Sequence, residues 1–576
     1  MDLRKKIYIF APRIINKVRQ VMNTKTRTET NKFVNAVNFK ATTLTENGAV
    51  TNVTTGSLIV DQFGKAGNYR GRTIAEVFTD QSNLWTENPE SALRFPFYLR
   101  MITRKVKVNG KNETDKVQNG QGARDESFKR FLWIAKQHPD VFYANCWAIP
   151  VVGSWKDVWT LMIYDVQNGT EAINREAMFE LIAQGLLSET HIDLVKKYMP
   201  RIESEKKCKT AERKLKNQLA KDFAKFMNMS YKEYNKTKSS GNAHDFQKLI
   251  CSRQYDKLNW NHIPGRALNL LVTSKFLSNH NLKDMYTKWI MSKPVAKYTG
   301  YVFELAKKAR ESGLYRGYSA SRLSPEVKHT IDAQFMGLVD KARQNGKITE
   351  NVWCALDTSG SMSTRVNGLK DITCSDIANS LALFFSELNT GAFHNKIIMF
   401  DDTSYPYDLK GDSFCEKLAA LPGVPAGGTN FQSIVEEIVK IRKQHPEIPL
   451  EDYPKTILVV SDMQFNPAGG WRMRRTEPTN YEYSVRTLKT VFPAEFVDSM
   501  KFIWWDVAAR YGNTHYEATA QTSGAYFFSG FDGSIISMLL NEEAVRDEAT
   551  GEVRQPTAEE IVMKALSQEI LNYIKL

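Results

Sequence analysis

The run Val352-Trp353-Cys354-Ala355-Leu356 stops abruptly at Asp357-Thr358-Ser359-Gly360-Ser361. Five apolar residues cut off by an acid, a glycine and two serines describe a buried strand that feeds a tight turn. Two later stretches repeat the pattern. Gly427-Gly428-Thr429-Asn430 is a glycine-rich loop, and Ile457-Leu458-Val459-Val460 is a second apolar run ending in Ser461-Asp462. In a parallel sheet the carboxyl ends of strands share one edge, where ligands bind. A hard divalent cation takes oxygen ligands and keeps several waters. Asp357, Ser359, Ser361, Thr429 and Asp462 offer such a set, so they are the expected ligands of Mg²⁺ or another divalent cation such as Mn²⁺. An open coordination position would then attract a carboxylate or phosphate from outside. The competing reading is a simple capping cluster at a strand end.

The surrounding texture fits an α/β sheet. From Lys347 onward, strands are expected at Val352–Leu356, Lys396–Phe400, Thr456–Val460, Phe502–Trp505 and Ala525–Phe528. Helical stretches separate them at Ser375–Glu387 and Asn430–Arg442, with another from Ser534. This alternation implies a parallel, doubly wound sheet. A polar, acidic segment follows from Asn541 to Thr557, and then a helix near Ala558–Tyr573.

The first part of the chain reads differently. From Asn88 to about Ala342 apolar residues recur at helical spacing, and breaks fall at His138-Pro139, Met199-Pro200, Ile263-Pro264 and Lys293-Pro294. Many helices of about 10–20 residues with short breaks describe a HEAT-like α-solenoid or a multi-helix bundle. Before them, Thr45-Glu46-Asn47-Gly48 carries a turn signal. The glycines of Phe63–Thr73 fail the spacing of a phosphate-binding loop and read as a flexible basic loop. The expected division is a basic arm at 1–34, a helical module at 35–346, an α/β domain at 347–545, and an acidic linker with a C-terminal helix at 546–576.

Charge separates the two main parts. The whole chain carries +14, residues 347–576 carry about −10, and residues 1–346 therefore about +24. A strongly basic part fused to an acidic one points to a polyanion partner, most often nucleic acid. Lys196–Lys238 holds fourteen basic residues against five acids. Lys206, Lys207, Lys209, Arg213, Lys214, Lys216, Lys221 and Lys225 sit on one expected helix near 203–228, with Leu215, Leu219, Phe223 and Phe226 as its apolar seam. A docked seam leaves most of those cations outward, as phosphate contact requires. Arg316 and Arg322 alternate with Tyr315 and Tyr318 in a polar loop, which reads as a domain linker or as a stacking site for RNA bases.

Other chemistries find no support. The six cysteines are scattered without a C-x-x-C pair, which argues against a disulfide framework or zinc finger and for a reducing, cytoplasmic setting. The nine histidines show no zinc spacing, and no G-x-S-x-G elbow occurs. Cys354 lies within a strand and reads as a structural thiol. No apolar run approaches the roughly 20 residues a membrane span needs. No nucleophile and base accompany the cation ligands, so an enzyme is not expected.

Asp357-Thr358-Ser359-Gly360-Ser361, Thr429 and Asp462 resemble the metal-ion-dependent adhesion site of the von Willebrand factor A fold. A basic helical module ahead of such a domain resembles the Ro ribonucleoprotein family, whose helical ring is the TROVE module. Arg124-Asp125, Asn145-Cys146-Trp147-Ala148 and Gly153-Ser154-Trp155-Lys156-Asp157 carry that likeness. The chain is more similar still to an uncharacterised family of Ro-like two-part proteins of plants, fungi, large viruses and phages. The shared phrases are Thr45-Glu46-Asn47-Gly48, Ser386-Glu387-Leu388, Gly428-Thr429-Asn430-Phe431, Ser461-Asp462-Met463-Gln464-Phe465 and Phe528-Ser529-Gly530-Phe531. The resemblance implies a helical module that binds structured or misfolded RNA, and an A domain whose cation docks an acidic protein partner. The alternatives are a metal-dependent protein scaffold without an RNA role, and a structural component of a larger assembly such as a phage particle.

Overall fold

The computed structural model describes residues 42–68, 71–106, 116–241, 245–315, 317, 319–345, 351–422, 426–467, 478–508, 515–531, 545–546 and 553–576. The chain forms two compact units. One comprises Thr73–Leu258 with Ala565–Leu576, and the other comprises Asn259–Lys564 with the segment ending at Arg72.

The first unit is mainly helical. The helix Ile74–Glu87 starts with a capping box, Thr73 accepting from the Glu76 amide while the Glu76 carboxylate accepts from Thr73 N–H. Pro89 opens the helix Pro89–Arg100, where its missing N–H costs nothing. Arg124–Gln137, Trp155–Gln167, Arg175–Leu187 and Ala211–Phe226 follow. Their aromatic faces meet inside, with Phe97 against Phe131 at 4.7 Å and Trp159 against Phe223 at 5.6 Å.

A hairpin breaks the expected helical continuity. Ile102–Val106 pairs antiparallel with Lys116–Gln121. Met101 leaves the preceding helix with ψ 149°, and the β-branched Ile102, Thr103 and Val106 favour extended backbone.

The second unit is built on a six-stranded sheet: β1 Val352–Asp357, β2 Lys396–Phe400, β3 Ser404–Asp408, β4 Thr456–Ser461, β5 Lys501–Asp506 and β6 Ala525–Ser529. Their spatial order is 3-2-1-4-5-6, all parallel except the antiparallel edge strand β3. Sequence periodicity misses β3 because half of it is exposed and Pro406 interrupts it, a residue tolerated only at a sheet edge. Neighbouring tryptophans show how both faces are covered. Trp504 and Trp505 point to opposite sides of β5. Trp504 meets Phe431, beside the helix Gln432–Gln444, and Trp505 meets Phe385 of the helix Cys374–Leu388.

Packing draws the boundaries elsewhere than composition does. The helices Val302–Glu311 and Pro325–Asn345 belong to the sheet unit, not to the helical one. Arg310 pairs with Asp376 at 2.7 Å, and Phe335 stacks on Phe414 at 4.3 Å. At the other end, Asn145 of the helical unit holds the Lys575 backbone through both its amide groups. The C-terminal helix is shorter than expected, Ala558–Leu566 followed by a single turn at Leu571–Tyr573.

The expected basic loop at Phe63–Thr73 is largely ordered packing. Leu58–Lys65 is a helix laid on β6, with Phe63 5.9 Å from Phe528. Gly67 donates its amide to Ser529 Oγ at 2.8 Å, and a Cβ there would stand 2.0 Å from the Gly530 Cα. The glycine serves a close approach of two backbones. The helix expected from Ser534 falls outside the described residues. Among those described, no helix is long and apolar enough to cross a membrane.

Candidate functional site

The order 3-2-1-4-5-6 reverses between β1 and β4, and Asp357 closes β1 while Asp462 follows β4. The five expected cation ligands therefore gather at the switch point of a doubly wound sheet, where such folds open a crevice. Asp357 is buried, and its carboxylate accepts from the Ser359 amide at 2.8 Å and from Ser461 Oγ at 2.5 Å. Ser359 and Ser361 place their hydroxyls 3.1 Å apart, at the start of the short turn Gly360–Ser363.

The glycine loop closes against this turn. The Gly360 amide donates to Gly427 O at 3.2 Å, and the Ala426 amide to Thr358 O at 2.9 Å. Thr429 is then held from the far side, its O accepting from the Asn466 amide at 2.7 Å and its own amide facing Asn466 Oδ1.

Two groups of this arrangement lack a full set of partners among the described residues. Burial pushes the Asp357 carboxyl up to about 7, the neighbouring Asp462 carboxylate adds to the effect, and the hydroxyls of Ser461 and Ser359 oppose it. Thr429 Oγ1 is buried and makes no hydrogen bond among the described residues. An orphaned buried hydroxyl costs about 1–3 kcal/mol, and a cation bound beside two carboxylates would answer both deficits. Among the described residues no group of three or more His, Cys, Asp or Glu that could hold a metal ion occurs, here or elsewhere, so any cation at this edge would rely on hydroxyl oxygens beside the two carboxylates.

Sequence reasoning missed the supports. Ser461 reads as one more strand residue, yet it bonds Asp357 and accepts from the Met463 amide at 3.0 Å. Asp401 and Asp402, directly after β2, hold the glycine loop. Asp402 Oδ1 takes the Gly428 amide at 3.1 Å, and Asp401 O takes the Asn430 amide at 2.7 Å. A Cβ on Gly428 would come within 2.5 Å of Asp402 Oδ1.

The basic stretch lies in the other unit. Thr210 caps the helix Ala211–Phe226, which buries Asn217, Leu219, Ala220, Phe223 and Ala224. Of the expected seam, Leu219 and Phe223 are core, whereas Leu215 is half-buried and Phe226 is 40% exposed. Asn217 exchanges hydrogen bonds with Glu203 and so anchors the turn carrying Lys206 and Lys207. Lys206, Lys207, Lys209, Arg213, Lys214 and Lys225 are exposed and form no ion pair among the described residues. Lys216 pairs with Glu212, and Lys221 reaches Glu205 at 3.6 Å. Lys238 closes the end of the helix Ile192–Tyr198, its Nζ donating to the carbonyls of Lys196 and Lys197. Arg322 is exposed in a turn of the sheet unit, and Arg316 lies outside the described residues.

Arg124 and the Gly153–Asp157 motif turn out to be structural. Asp157 is fully buried and bound by Arg100 at 2.6 Å, Arg124 at 2.7 Å and Ser154 at 3.0 Å. A Cβ on Gly153 would stand 2.4 Å from its carboxylate.

Comparison with known proteins divides the chain in a related way. Residues 45–258 match the family model described as a domain of unknown function (DUF2828), and residues 352–572 match a second domain of unknown function (DUF7788). The uncharacterised protein L728 of Acanthamoeba polyphaga mimivirus is 22% identical over 331 residues, 55% of this chain and 53% of the relative. The chain thus spans about half the length of the curated relative it matches. The crystal structure of the Deinococcus radiodurans RO (RSR) protein aligns over 82% of this chain and 91% of that one, at 13% identity and a TM-score of 0.39.

Proposed function

We propose that this chain is a Ro-like binding protein with two working surfaces, and that it performs no bond-making chemistry. At the sheet edge, Asp357, Ser359, Ser361, Thr429 and Asp462 hold Mg²⁺ or Mn²⁺. The cation supplies an open position for a carboxylate of an acidic protein partner. The observation that carries this reading is the buried hydroxyl of Thr429, without a hydrogen-bond partner among the described residues, together with the mutually repelling carboxylates of Asp357 and Asp462. Hydroxyl and carboxylate oxygens suit these hard cations. Calorimetric titration with Mn²⁺ tests it. One site per chain is expected, lost in Asp357→Ala, and an acidic peptide should bind only with Mn²⁺ present. Equal heats for the wild type and Asp357→Ala would refute it.

The second surface is the exposed cation row Lys206, Lys207, Lys209, Arg213, Lys214 and Lys225, which binds RNA phosphates. It is favoured by the charge split of the chain and by the absence of ion pairs along that row among the described residues. Each phosphate contact releases counterions, so affinity for a structured RNA should fall steeply between about 50 and 200 mM salt. A flat response in filter binding contradicts RNA binding and leaves the scaffold reading.

A further inference from the structure

The residues around Thr45 lie far from the sheet in sequence, yet they touch the loop that carries Asp462. Thr42–Leu44 and Val50–Asn52 form a short antiparallel hairpin, and its turn Thr45–Gly48 closes through Gly48 N–H to Thr45 O. Gly48 sits at φ +91°, which only glycine adopts without strain.

This turn is seated on residues 464–465. Thr45 Oγ1 donates to Phe465 O at 2.6 Å across 420 positions of sequence, Glu46 N–H donates to Gln464 Oε1 at 2.8 Å, and Asn47 Nδ2 donates to Gln464 O at 2.5 Å. Thr45 and Gln464 are buried, and Ala49 joins the same core as Phe431, Met463 and Phe465. The far end of the hairpin is pinned independently, Asn52 and Tyr516 exchanging backbone hydrogen bonds of 2.9 and 3.0 Å.

The clamped loop is the one on which both halves of the cation site depend. Asp462 begins it, Met463 takes a left-handed φ of +64°, and Asn466 ends it by holding Thr429. A non-glycine residue in that conformation persists only where its surroundings fix it. The three hydrogen bonds from Thr45, Glu46 and Asn47 provide that fixing from outside the sheet.

We propose that the turn Thr45–Gly48 is a positioning element of the cation site, setting the distance between Asp462 and Thr429. This rests on the cation reading above. The linkage is reciprocal: if seating of the turn raises cation affinity, cation binding must tighten the seating by the same factor.

The test uses the full chain and Mn²⁺ alone. Thr45→Val and Asn47→Ala each remove one donor and should weaken Mn²⁺ binding roughly threefold to tenfold. Thr45→Ser keeps the hydroxyl and should bind as the wild type does. Hydrogen exchange of the wild type gives a readout that needs no variant. Amides of 45–52 should exchange more slowly when Mn²⁺ is added, and Asp462→Asn should abolish that protection. If the wild type binds Mn²⁺ but both donor variants bind equally well and exchange in 45–52 is unchanged, the positioning role is wrong while the cation site stands. If the wild type binds no Mn²⁺, both fall.

Discussion

The helical unit and the sheet unit handle buried charge in opposite ways. In the helical unit Asp157 is enclosed by Arg100, Arg124 and Ser154, and its charge is answered inside the fold. Lys206, Lys207, Lys209, Arg213, Lys214 and Lys225 of that unit are exposed and form no ion pair among the described residues. In the sheet unit the contrasting groups, around the switch point, are buried. Asp357 and Asp462 repel one another, and Thr429 Oγ1 has no hydrogen-bond partner among the described residues. The comparison separates two kinds of binding surface. A diffuse, outward cationic row suits a polyanion recognised mainly through its phosphates. A small, inward oxygen cluster suits a single cation of fixed size.

The comparison can be broken at several points. The largest effect is expected at Asp157. Asp157→Ala strands Arg100 in the interior, and losing one partner of a buried pair costs about 3–5 kcal/mol. Denaturant unfolding should show that loss. A cost below about 1 kcal/mol would mean that the cluster is not internally satisfied in the way described.

Glu517, in the sheet unit, is fully buried, and burial pushes its carboxyl from 4.5 up to about 8 against the opposing pull of the first amides of the helix Asn480–Leu488. A carboxyl raised in the folded state stabilises the fold fully below its unfolded value. That contribution is lost as pH rises from 4.5 through about 8. Each pKa unit is worth about 1.4 kcal/mol. Glu517→Gln should therefore melt close to the wild type near pH 4 and above it near pH 9, since only the latter condition forces a buried charge. Parallel melting curves across that range would remove Glu517 from the account.

Next comes the cation row. Reversing Lys206, Lys207 and Lys209 together to Glu should weaken RNA binding at least tenfold at about 50 mM salt and flatten its salt dependence. The smallest effect is expected for Lys221→Ala. That lysine already faces Glu205, and its loss should change RNA affinity by less than about twofold. If Lys221 matters as much as Lys206, pairing does not distinguish binding cations from structural ones.

The clustering of the five expected cation ligands at one sheet edge is legible in sequence because each flanks an apolar strand or a glycine turn, and those boundaries are local signals. The doubly wound sheet is legible for the same reason, although its strand order and the edge strand β3 are not. What supports the site is not. Ser461 looks like any strand residue, Asn466 like any loop residue, and Thr45–Asn47 reach their targets only through folding across 420 positions. The hairpin after Met101 and the reassignment of Asn259–Lys564 to the sheet unit have the same cause. Periodicity reports which face of an element is buried, but not which other element buries it. The basic row is legible as charge, whereas the pairing of Lys216 with Glu212, the carbonyl contacts of Lys238 and the structural task of Arg124 depend on neighbours that only the fold supplies.

The central claim is that the buried hydroxyl of Thr429 and the two carboxylates wait for a divalent cation. Electron paramagnetic resonance of Mn²⁺ titrated into the wild type and Thr429→Val tests it directly, because valine keeps the shape and removes only the oxygen. The account predicts one bound Mn²⁺ per wild-type chain, and binding by Thr429→Val at least tenfold weaker, a loss of about 1.4 kcal/mol or more. Equal Mn²⁺ binding by the two proteins, or none by the wild type while it remains folded, would contradict it.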